Sequence, residues 1–392
     1  MADKSFGVRQ LNILGSGTPS IDSQGDLNLN ANKVAISTDV TVGGASTFTG
    51  NITANGNIIG DSSTNISGIN SVTATCFFGC GSGLTGIDAG FSPDADLNLF
   101  SSGTCSGCNL DGSSGCFNLF LGACAGKNVT SGASNVFLGD YAGSCMYGFG
   151  NIAIGSQALL GSGTVANNSG IVNIAIGKEA GRSITTGGCN IILGCKAAFG
   201  ITTGAWNTIF GRTAGRCLTT TNYNSYFGTD AGFRLRGAYN IAFGAKAMEG
   251  SSTASNNTGG CNIAIGKEAG KNLTTGTFNI AIGEGAVSNC NLTGGNNIAL
   301  GRNSGYFISG GNRNLFLGLQ AGKYANSNDG IALGQEALGG AVSSGNDNIA
   351  IGCFAGHKTT SGNTNITIGK AAGKCITTCL LYTSDAADDG YR

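Results

Sequence analysis

The sequence predicts an all-β protein whose main part is a parallel β-solenoid with one short strand in each coil. Two observations lead to this prediction. A segment of the NIAIG type recurs at intervals of mostly 16 to 18 residues, and glycine makes up 70 of the 392 residues. A stacked architecture needs the same structural unit many times, whereas a catalytic site does not. Glycine-bounded apolar runs of five residues are also too short to support helices.

Fifteen units can be aligned on this segment, and we number the positions within each unit from its first residue. An eroded further unit is predicted at Asn98, and the stretch NIAIGKEAG occurs identically at 173–181 and 262–270, which indicates duplication of a five-coil block. The fifteen units begin at Asn118, Asn135, Asn151, Asn173, Asn190, Asn207, Asn224, Asn240, Asn262, Asn279, Asn297, Asn314, Gly330, Asn348 and Asn365.

The composition at each position predicts its place in the coil. Position 1 is Asn in fourteen units, position 4 is always large and apolar, position 5 is always Gly, and position 8 is Ala in fourteen units. Glycine suits a corner with positive φ, and stacked Asn side chains would form a ladder of amides. Because neighbouring residues in a strand face opposite sides, we expect the large residues at positions 2 and 4 to fill the core.

Under that assignment, position 3 faces outward. It is Ala in eight units, and elsewhere it is a larger residue such as Phe120, Phe137, Ile192, Ile209 or Tyr226. Fifteen coils would then carry a mostly apolar stripe about 70 Å long. A soluble protein rarely exposes such a patch, so we expect identical subunits to cover it around an axis, as a homotrimer. The alternative is that another wall of the same chain covers it.

The overall composition indicates which partners to expect. The 21 basic and 21 acidic residues cancel, and no cluster of Lys and Arg is visible along the chain, so nucleic acid is not an expected partner. The beginning of the chain has no apolar segment of signal-peptide length, and no apolar run is long enough to span a membrane. We therefore expect assembly in a cytoplasm, without membrane insertion. The 15 Cys residues are scattered instead of forming a compact disulfide framework.

No set of residues predicts a catalytic, cofactor or metal site. His357 is the only His, and we interpret it as a solvent-facing corner residue because a triad or a His-based metal site lacks partners. Cys105 and Cys108 form a CxxC whose continuation, Cys116 and Cys124, is irregular for zinc.

Two further patterns have simple structural interpretations. The glycine-rich stretches GSGTPS (15–20) and GCGSGLTG (79–86) lack the Lys-Ser/Thr ending of a phosphate loop and are interpreted as turns. The adjacent opposite charges at 178–179 and 267–268 are interpreted as solvated corner residues. Together these observations predict a protein that is not an enzyme and holds no cofactor or metal.

The chain is divided into four parts. Residues 1–92 lack the repeat but alternate in a β-like manner, 93–117 contain the eroded first coil, 118–378 carry the repeats, and 379–392 break the pattern. The last part, CLLYTSDAADDGYR, corresponds to a translated transposase-type sequencing adaptor. We interpret it as non-native and expect it to make no essential contacts.

Both ends of the first part carry a resemblance. The opening ADKSFGVRQLNILGSGTPSIDSQGDLNLNA and the ending GCGSGLTGID resemble tail-fibre-like structural proteins of tailed phages, particularly cyanophages. The resemblance implies a structural protein of the virion tail fibre that contributes to attachment at the host surface. It also implies that residues 1–92 attach to other tail or baseplate proteins, and that the receptor is a glycan or protein of the host cell.

The repeats carry a second resemblance, to the NSVAIG-type coils in the head domains of trimeric autotransporter adhesins. It implies a stacked β architecture and a homotrimer, and it leaves a bacterial surface adhesin as the alternative function. The missing signal peptide, the missing membrane anchor and the longer coil favour the virion protein. A β-helical polysaccharide-degrading enzyme ranks third, since it would need carboxylates clustered on neighbouring coils, and the sequence shows no such cluster.

Overall fold

The structure is a computed structural model that describes residues 91–93, 99–101, 105–110, 115–163, 167–252, 256–380 and 383–384. The chain divides into two units, Met1–Cys80 and Gly81–Arg392, and all described residues belong to the second. The predicted β segment at 1–92 therefore lies outside the described residues, apart from its last two positions. No helix in the described ranges is long and apolar enough to cross a membrane.

Eighteen short strands in the described residues form one sheet. Their bounds are β1 Phe91–Pro93, β2 Leu99–Ser101, β3 Leu119–Leu121, β4 Val136–Leu138, β5 Ile152–Ile154, β6 Ile174–Ile176, β7 Ile191–Leu193, β8 Thr208–Phe210, β9 Ser225–Phe227, β10 Ile241–Phe243, β11 Ile263–Ile265, β12 Ile280–Ile282, β13 Ile298–Leu300, β14 Leu315–Leu317, β15 Ile331–Leu333, β16 Ile349–Ile351, β17 Ile366–Ile368 and β18 Thr383–Ser384.

Each strand from β2 onward pairs in parallel with the strand of the next coil, while β1 pairs antiparallel with β2. The register keeps equal positions opposite each other, as where Ile263, Ala264 and Ile265 lie beside Ile280, Ala281 and Ile282. The predicted all-β parallel solenoid of about 17 residues per coil is confirmed. The eroded unit at Asn98 is also confirmed, because β2 pairs with β3 in the same register.

The strands face the opposite way from the sequence prediction. Position 3 is at most 3% exposed in every one of the fifteen units, whether it is Phe120, Tyr226 or Ala264. Positions 2 and 4 are partly or fully exposed in every unit, for example Ile241 at 43% and Phe243 at 56%. The assignment of the large aliphatic residues to the core is therefore wrong. The third-position residues line the interior, and the large aliphatic residues form the outer surface of the strand.

The buried asparagine at position 1 explains this orientation, since positions 1 and 3 share a face of the strand. In the coil of β7, the Asn190 backbone N–H and side-chain Nδ2 both donate to Oδ1 of Asn173, at 3.1 and 2.9 Å. Nδ2 also donates to the carbonyl oxygen of Gly204 at 2.9 Å. The amide thus satisfies buried backbone groups across neighbouring coils, and the predicted ladder of Asn side chains lies inside the solenoid.

The narrow core is filled by complementary volumes at positions 3 and 9. Aromatic residues at position 3 face a glycine at position 9: a Cβ on Gly126 would lie 2.5 Å from the ring of Phe120. Where position 3 is the small Ala153 or Ala242, position 9 is Leu159 or Met248, and all four side chains are buried. The exchange keeps the interior close-packed from coil to coil.

The glycine at position 5 forms the corner after each strand. Its φ lies between 122° and 137° in all fifteen units, a region that is essentially restricted to glycine. The corners also stack tightly: a Cβ on Gly228 would lie 2.6 Å from the carbonyl oxygen of Gly244 in the next coil. Both the backbone angle and the contact therefore exclude a side chain, which accounts for the invariant glycine.

We expect Gly228→Ala to lower the free energy of unfolding by about 3 kcal/mol, because it combines backbone strain with a clash against the next coil. Gly163→Ala is the matched control. A Cβ there meets nothing within 4 Å, and its φ is not in the left-handed region, so we expect a change within about 0.5 kcal/mol. Chemical denaturation followed by circular dichroism measures both. Equal effects of the two variants would contradict the corner assignment.

Part of the segment 379–392 continues the ladder. β18 pairs in parallel with β17, and the carbonyl oxygen of Cys379 accepts a hydrogen bond from Nδ2 of Asn365 at 2.9 Å. The expectation that this segment lacks contacts with the coils is wrong for these residues. The last open rung presents unpaired backbone groups, and almost any extended chain can pair with such an edge. Residues 381–382 and 385–392 lie outside the described part.

Candidate functional surface: the outward face of the strands

The outward face of β3–β17 carries thirty side chains at positions 2 and 4, and we call this set the outward stripe. All are large and apolar except Thr208 and Ser225 at position 2 of β8 and β9. Its most exposed members include Phe243 at 56% and Ile368 at 46%. The stripe that sequence reasoning expected at position 3 therefore exists, but at positions 2 and 4 and with larger side chains.

Aromatic rings strengthen the stripe around β8–β10. The rings of Phe210 and Phe227 stack at 5.0 Å between centroids. Beside them, at the position before Asn, Trp206, Tyr223 and Tyr239 stack at 6.4 and 5.1 Å. The latter three are 48% to 58% exposed. The apolar surface is therefore wider here than the two columns alone.

The size of the outward stripe decides how it is interpreted. Fifteen strands at about 4.8 Å spacing extend it over roughly 70 Å. Soluble monomers rarely expose a contiguous apolar patch of more than a few hundred Å². None of its thirty positions carries a charge, so covering it desolvates no ion. These features are typical of a surface that packs against another protein surface.

The residues selected for possible chemistry are placed differently from the prediction. His357 is not a solvent-facing corner residue. Its side chain is 19% exposed, its Nε2 lies 3.1 Å from Oε2 of Glu336 in the preceding coil, and it contacts the ring of Phe354 edge-on. A Cβ on Gly340 would overlap the imidazole ring, so the absence of a side chain there makes room for it. The pair links two coils.

The CxxC thiols lie near each other without forming a metal site. Burial, followed by contact with the Cys105 thiol, raises the pKa of the Cys108 thiol, with Cys124 nearby. A raised pKa lowers the thiolate fraction and with it both nucleophilicity and metal affinity. Within the described ranges, all cysteines are free and no group of three or more His, Cys, Asp or Glu residues could hold a metal ion. The stretches at 15–20 and 79–86 lie outside these ranges.

Corner charges pair between coils rather than only with solvent. Glu179 lies 3.4 Å from Lys196, and Lys267 lies 3.6 Å from Glu284, each in the next coil. These pairs are partly or largely exposed and contribute little stability individually. The interpretation as purely solvated charges therefore missed their cross-coil partners, because residues 17 positions apart become neighbours only when the coils stack.

Arg313 and Asp329 form the best-aligned pair, at 2.6 and 2.7 Å between their two nitrogens and the two carboxylate oxygens. Hydrogen bonding to Arg313 lowers the pKa of Asp329. The resulting stabilisation is present above the ordinary pKa of Asp and is lost as the pH falls through the depressed value. We expect Arg313→Gln to raise the midpoint of Asp329 in a carboxyl-detected NMR titration. An unchanged midpoint would show that the pair does not persist in solution.

No family model, curated protein or solved structure matches this chain. The outward stripe was missed at its true positions because hydrophobicity was given more weight than parity. The signal that could have placed it is the Asn at position 1, since an amide ladder that bonds backbone groups between coils belongs inside.

Proposed function

We propose that the chain is a non-enzymatic structural subunit of a phage virion, a tail-fibre or spike shaft in which three copies pack through the outward stripe. The observation that carries the proposal is the stripe itself, an uncharged apolar surface that runs the length of fifteen strands. A surface of this size needs a partner in water.

A second copy of this chain is the partner that fits best. A covering surface must match the strand spacing over fifteen coils, and an identical solenoid does so automatically. The stripe is only two side chains wide on each strand, so each copy presents a narrow apolar edge to a shared axis parallel to the solenoid. The resemblance to trimeric adhesin heads favours three copies. The result is a stiff, uncharged-core rod, as a fibre shaft requires.

The attachment role is supported by resemblance rather than by a site. Residues 1–92 resemble phage tail-fibre-like proteins, and we propose that they join other tail or baseplate proteins while the shaft carries a contact to a host glycan or protein. The described residues contain a regular scaffold with volume-matched coils and tightly stacked glycine corners, which suits mechanical extension. A bacterial surface adhesin would use the same rod and is the alternative.

Gold-labelled antibodies against the solenoid distinguish these roles. We expect the label on the tails of phage particles whose genome encodes the chain. Label on the surface of uninfected cells that carry the gene would instead establish the adhesin. Absence of label from both particles and cells would overturn both proposals.

The interface is tested by Ile265→Arg with Ile282→Arg, two neighbouring stripe residues that are 39% and 36% exposed in a single chain. Each Arg would place an unpaired charge in a dry interface, at several kcal/mol per site. We expect light scattering to give the 39.0 kDa mass of one chain, while circular dichroism still shows β structure. Thr203→Arg with Thr220→Arg adds the same charges at exposed turns of adjacent coils and should leave the assembly intact. An assembled stripe variant would contradict the interface.

A further inference from the structure

Arginine and phenylalanine side chains alternate along one edge of the solenoid, just after the second corner of each coil. The guanidinium carbon of Arg216 lies 5.7 Å from the ring centres of both Phe199 and Phe233, which belong to the coils on either side. Arg182 lies 5.5 Å from the other face of Phe199, and Arg234 lies 4.8 Å from Phe233. We call these five residues the arginine–phenylalanine stack.

The charges of the stack are incompletely balanced within the protein. Nε of Arg182 donates to the neutral side chain of Gln157 at 3.0 Å, and Arg234 pairs with Glu249 at 3.0 Å. Arg216 makes no side-chain hydrogen bond or ion pair with any residue that the structure describes, and its buried Nε has no partner. A half-buried guanidinium without a counter-charge is costly, and an anion supplied from outside would relieve that cost.

The surroundings of the stack are also basic. Residues 173–250 carry eight Lys and Arg residues but three Asp and Glu residues, although the chain as a whole is neutral. Sequence reasoning found no basic cluster because these residues are separated by intervals close to one coil. Stacking of the coils brings them to one side and concentrates positive potential there.

The geometry selects the kind of anion. Arg182 and Arg216 occupy the same position two coils apart, so their guanidinium groups follow the solenoid axis at about 10 Å spacing. This single file suits a linear chain with widely spaced negative groups, such as a sugar polymer with one acidic group in each repeat. The aromatic rings hold each planar fork in place, which prepares it for bidentate bonding to a carboxylate or sulfate.

Nucleic acid fits the same edge poorly. Single-stranded nucleic acid uses exposed aromatic faces on which bases stack. Here both faces of Phe199 are covered by Arg182 and Arg216, and Phe233 lies between Arg216 and Arg234. Duplex binding depends on many phosphate contacts spread over a wide surface, whereas this file is one side chain wide.

We propose that the arginine–phenylalanine stack binds a linear acidic polysaccharide laid along the solenoid axis, with Arg216 as the central contact. The proposal names the chemical class of receptor for the attachment role above and rests on that role for its biological meaning. Its test uses the isolated protein, so a failure here and a failure of the antibody labelling are separate results.

The full chain is titrated with polygalacturonate, dextran sulfate, neutral dextran and single-stranded DNA, with binding followed by calorimetry and light scattering. We expect binding to one or both acidic polysaccharides and none to dextran. Arg216→Gln should weaken it roughly tenfold or more, since a charge-assisted contact is lost. Arg216→Lys keeps the charge but loses the stacked fork, and it should give a smaller loss. The polygalacturonate and dextran sulfate arms separate carboxylate from sulfate recognition.

Arg302→Gln is the matched control, because Arg302 is an exposed arginine on a distant coil outside the stack. It should bind like the unchanged protein, and circular dichroism should show that all variants remain folded. Three outcomes would overturn the proposal: no binding to either acidic polysaccharide, equal losses in Arg302→Gln and Arg216→Gln, or binding to single-stranded DNA that exceeds binding to both polysaccharides.

Discussion

Ala264→Arg is expected to break the solenoid at β11. Ala264 is fully buried at position 3, between Ala242 and Ala281 of the neighbouring coils. An arginine there would overfill a narrow core and bury an unpaired charge, at a cost of about 5 kcal/mol or more. Because each coil contacts only its neighbours, the loss should begin at β10–β12 and open the array from there. Hydrogen exchange by mass spectrometry would locate the unprotected coils.

The next residue in the same strand is the matched control. Ile265 is 39% exposed, and the stem of an arginine at this position can lie along its neighbours while the charge stays in water. We expect Ile265→Arg to leave the coils protected, with a change of about 1 kcal/mol in a single chain. If Ile265→Arg opened the coils and Ale-to-Arg replacement at 264 did not, the observed facing of the strands would be incorrect.

Asn207→Asp is expected to be the most damaging exchange of near-equal size. Asn207 is fully buried, and its Nδ2 donates to Oδ1 of Asn190, to the Ala205 carbonyl and to the Thr221 carbonyl at 2.9 to 3.1 Å. A carboxylate would turn these three contacts into repulsions between oxygens. Leaving buried acceptors unsatisfied beside a buried charge should cost about 4 kcal/mol.

The damage from Asn207→Asp should depend on pH. Burial among acceptors favours the neutral acid and raises the pKa of the new side chain in the folded state. The variant should therefore be least destabilised in mild acid and lose stability as the pH rises through that raised pKa. Denaturation at several pH values measures this. Asn296→Asp is the control, since position 296 is exposed and Asp329 and Asp347 occupy the same place in later coils. A pH-independent loss would contradict the buried ladder.

Much of the fold could be predicted because the repeat fixes what each coil must do. Glycine at position 5, as at Gly228, marks a backbone angle that other residues avoid, and Asn at position 1 marks a ladder between coils. Those two columns determine where each strand begins and ends. Their spacing also determines the parallel register, because equal positions must stack for the ladder and the corners to repeat.

The facing of the strand was not predicted, because burial of the largest apolar residues is only a tendency. In a coil this narrow, the interior accepts one strand residue beside the Asn amide, and it must match the volume at position 9. Ala153 opposite Leu159 and Phe120 opposite Gly126 show that fit. Ile and Leu at positions 2 and 4 are then left outside, where only a partner surface can cover them.

The arginine–phenylalanine stack could not be seen in the sequence for a different reason. Arg182, Phe199, Arg216 and Phe233 are 17 residues apart in each step and resemble unrelated surface positions. Only the in-register stacking of coils places each ring between two guanidinium groups. Chemistry that is spread over several coils becomes visible once the column, rather than the local motif, is read.

Sedimentation equilibrium of the unchanged protein, over a wide range of concentration, tests the central claim most directly. The claim is that the outward stripe is an interface between copies of this chain. We predict a mass of three times 39.0 kDa that persists on dilution, as a large apolar interface requires. A single species of 39.0 kDa at every concentration would contradict the account, because the stripe would then remain exposed to water.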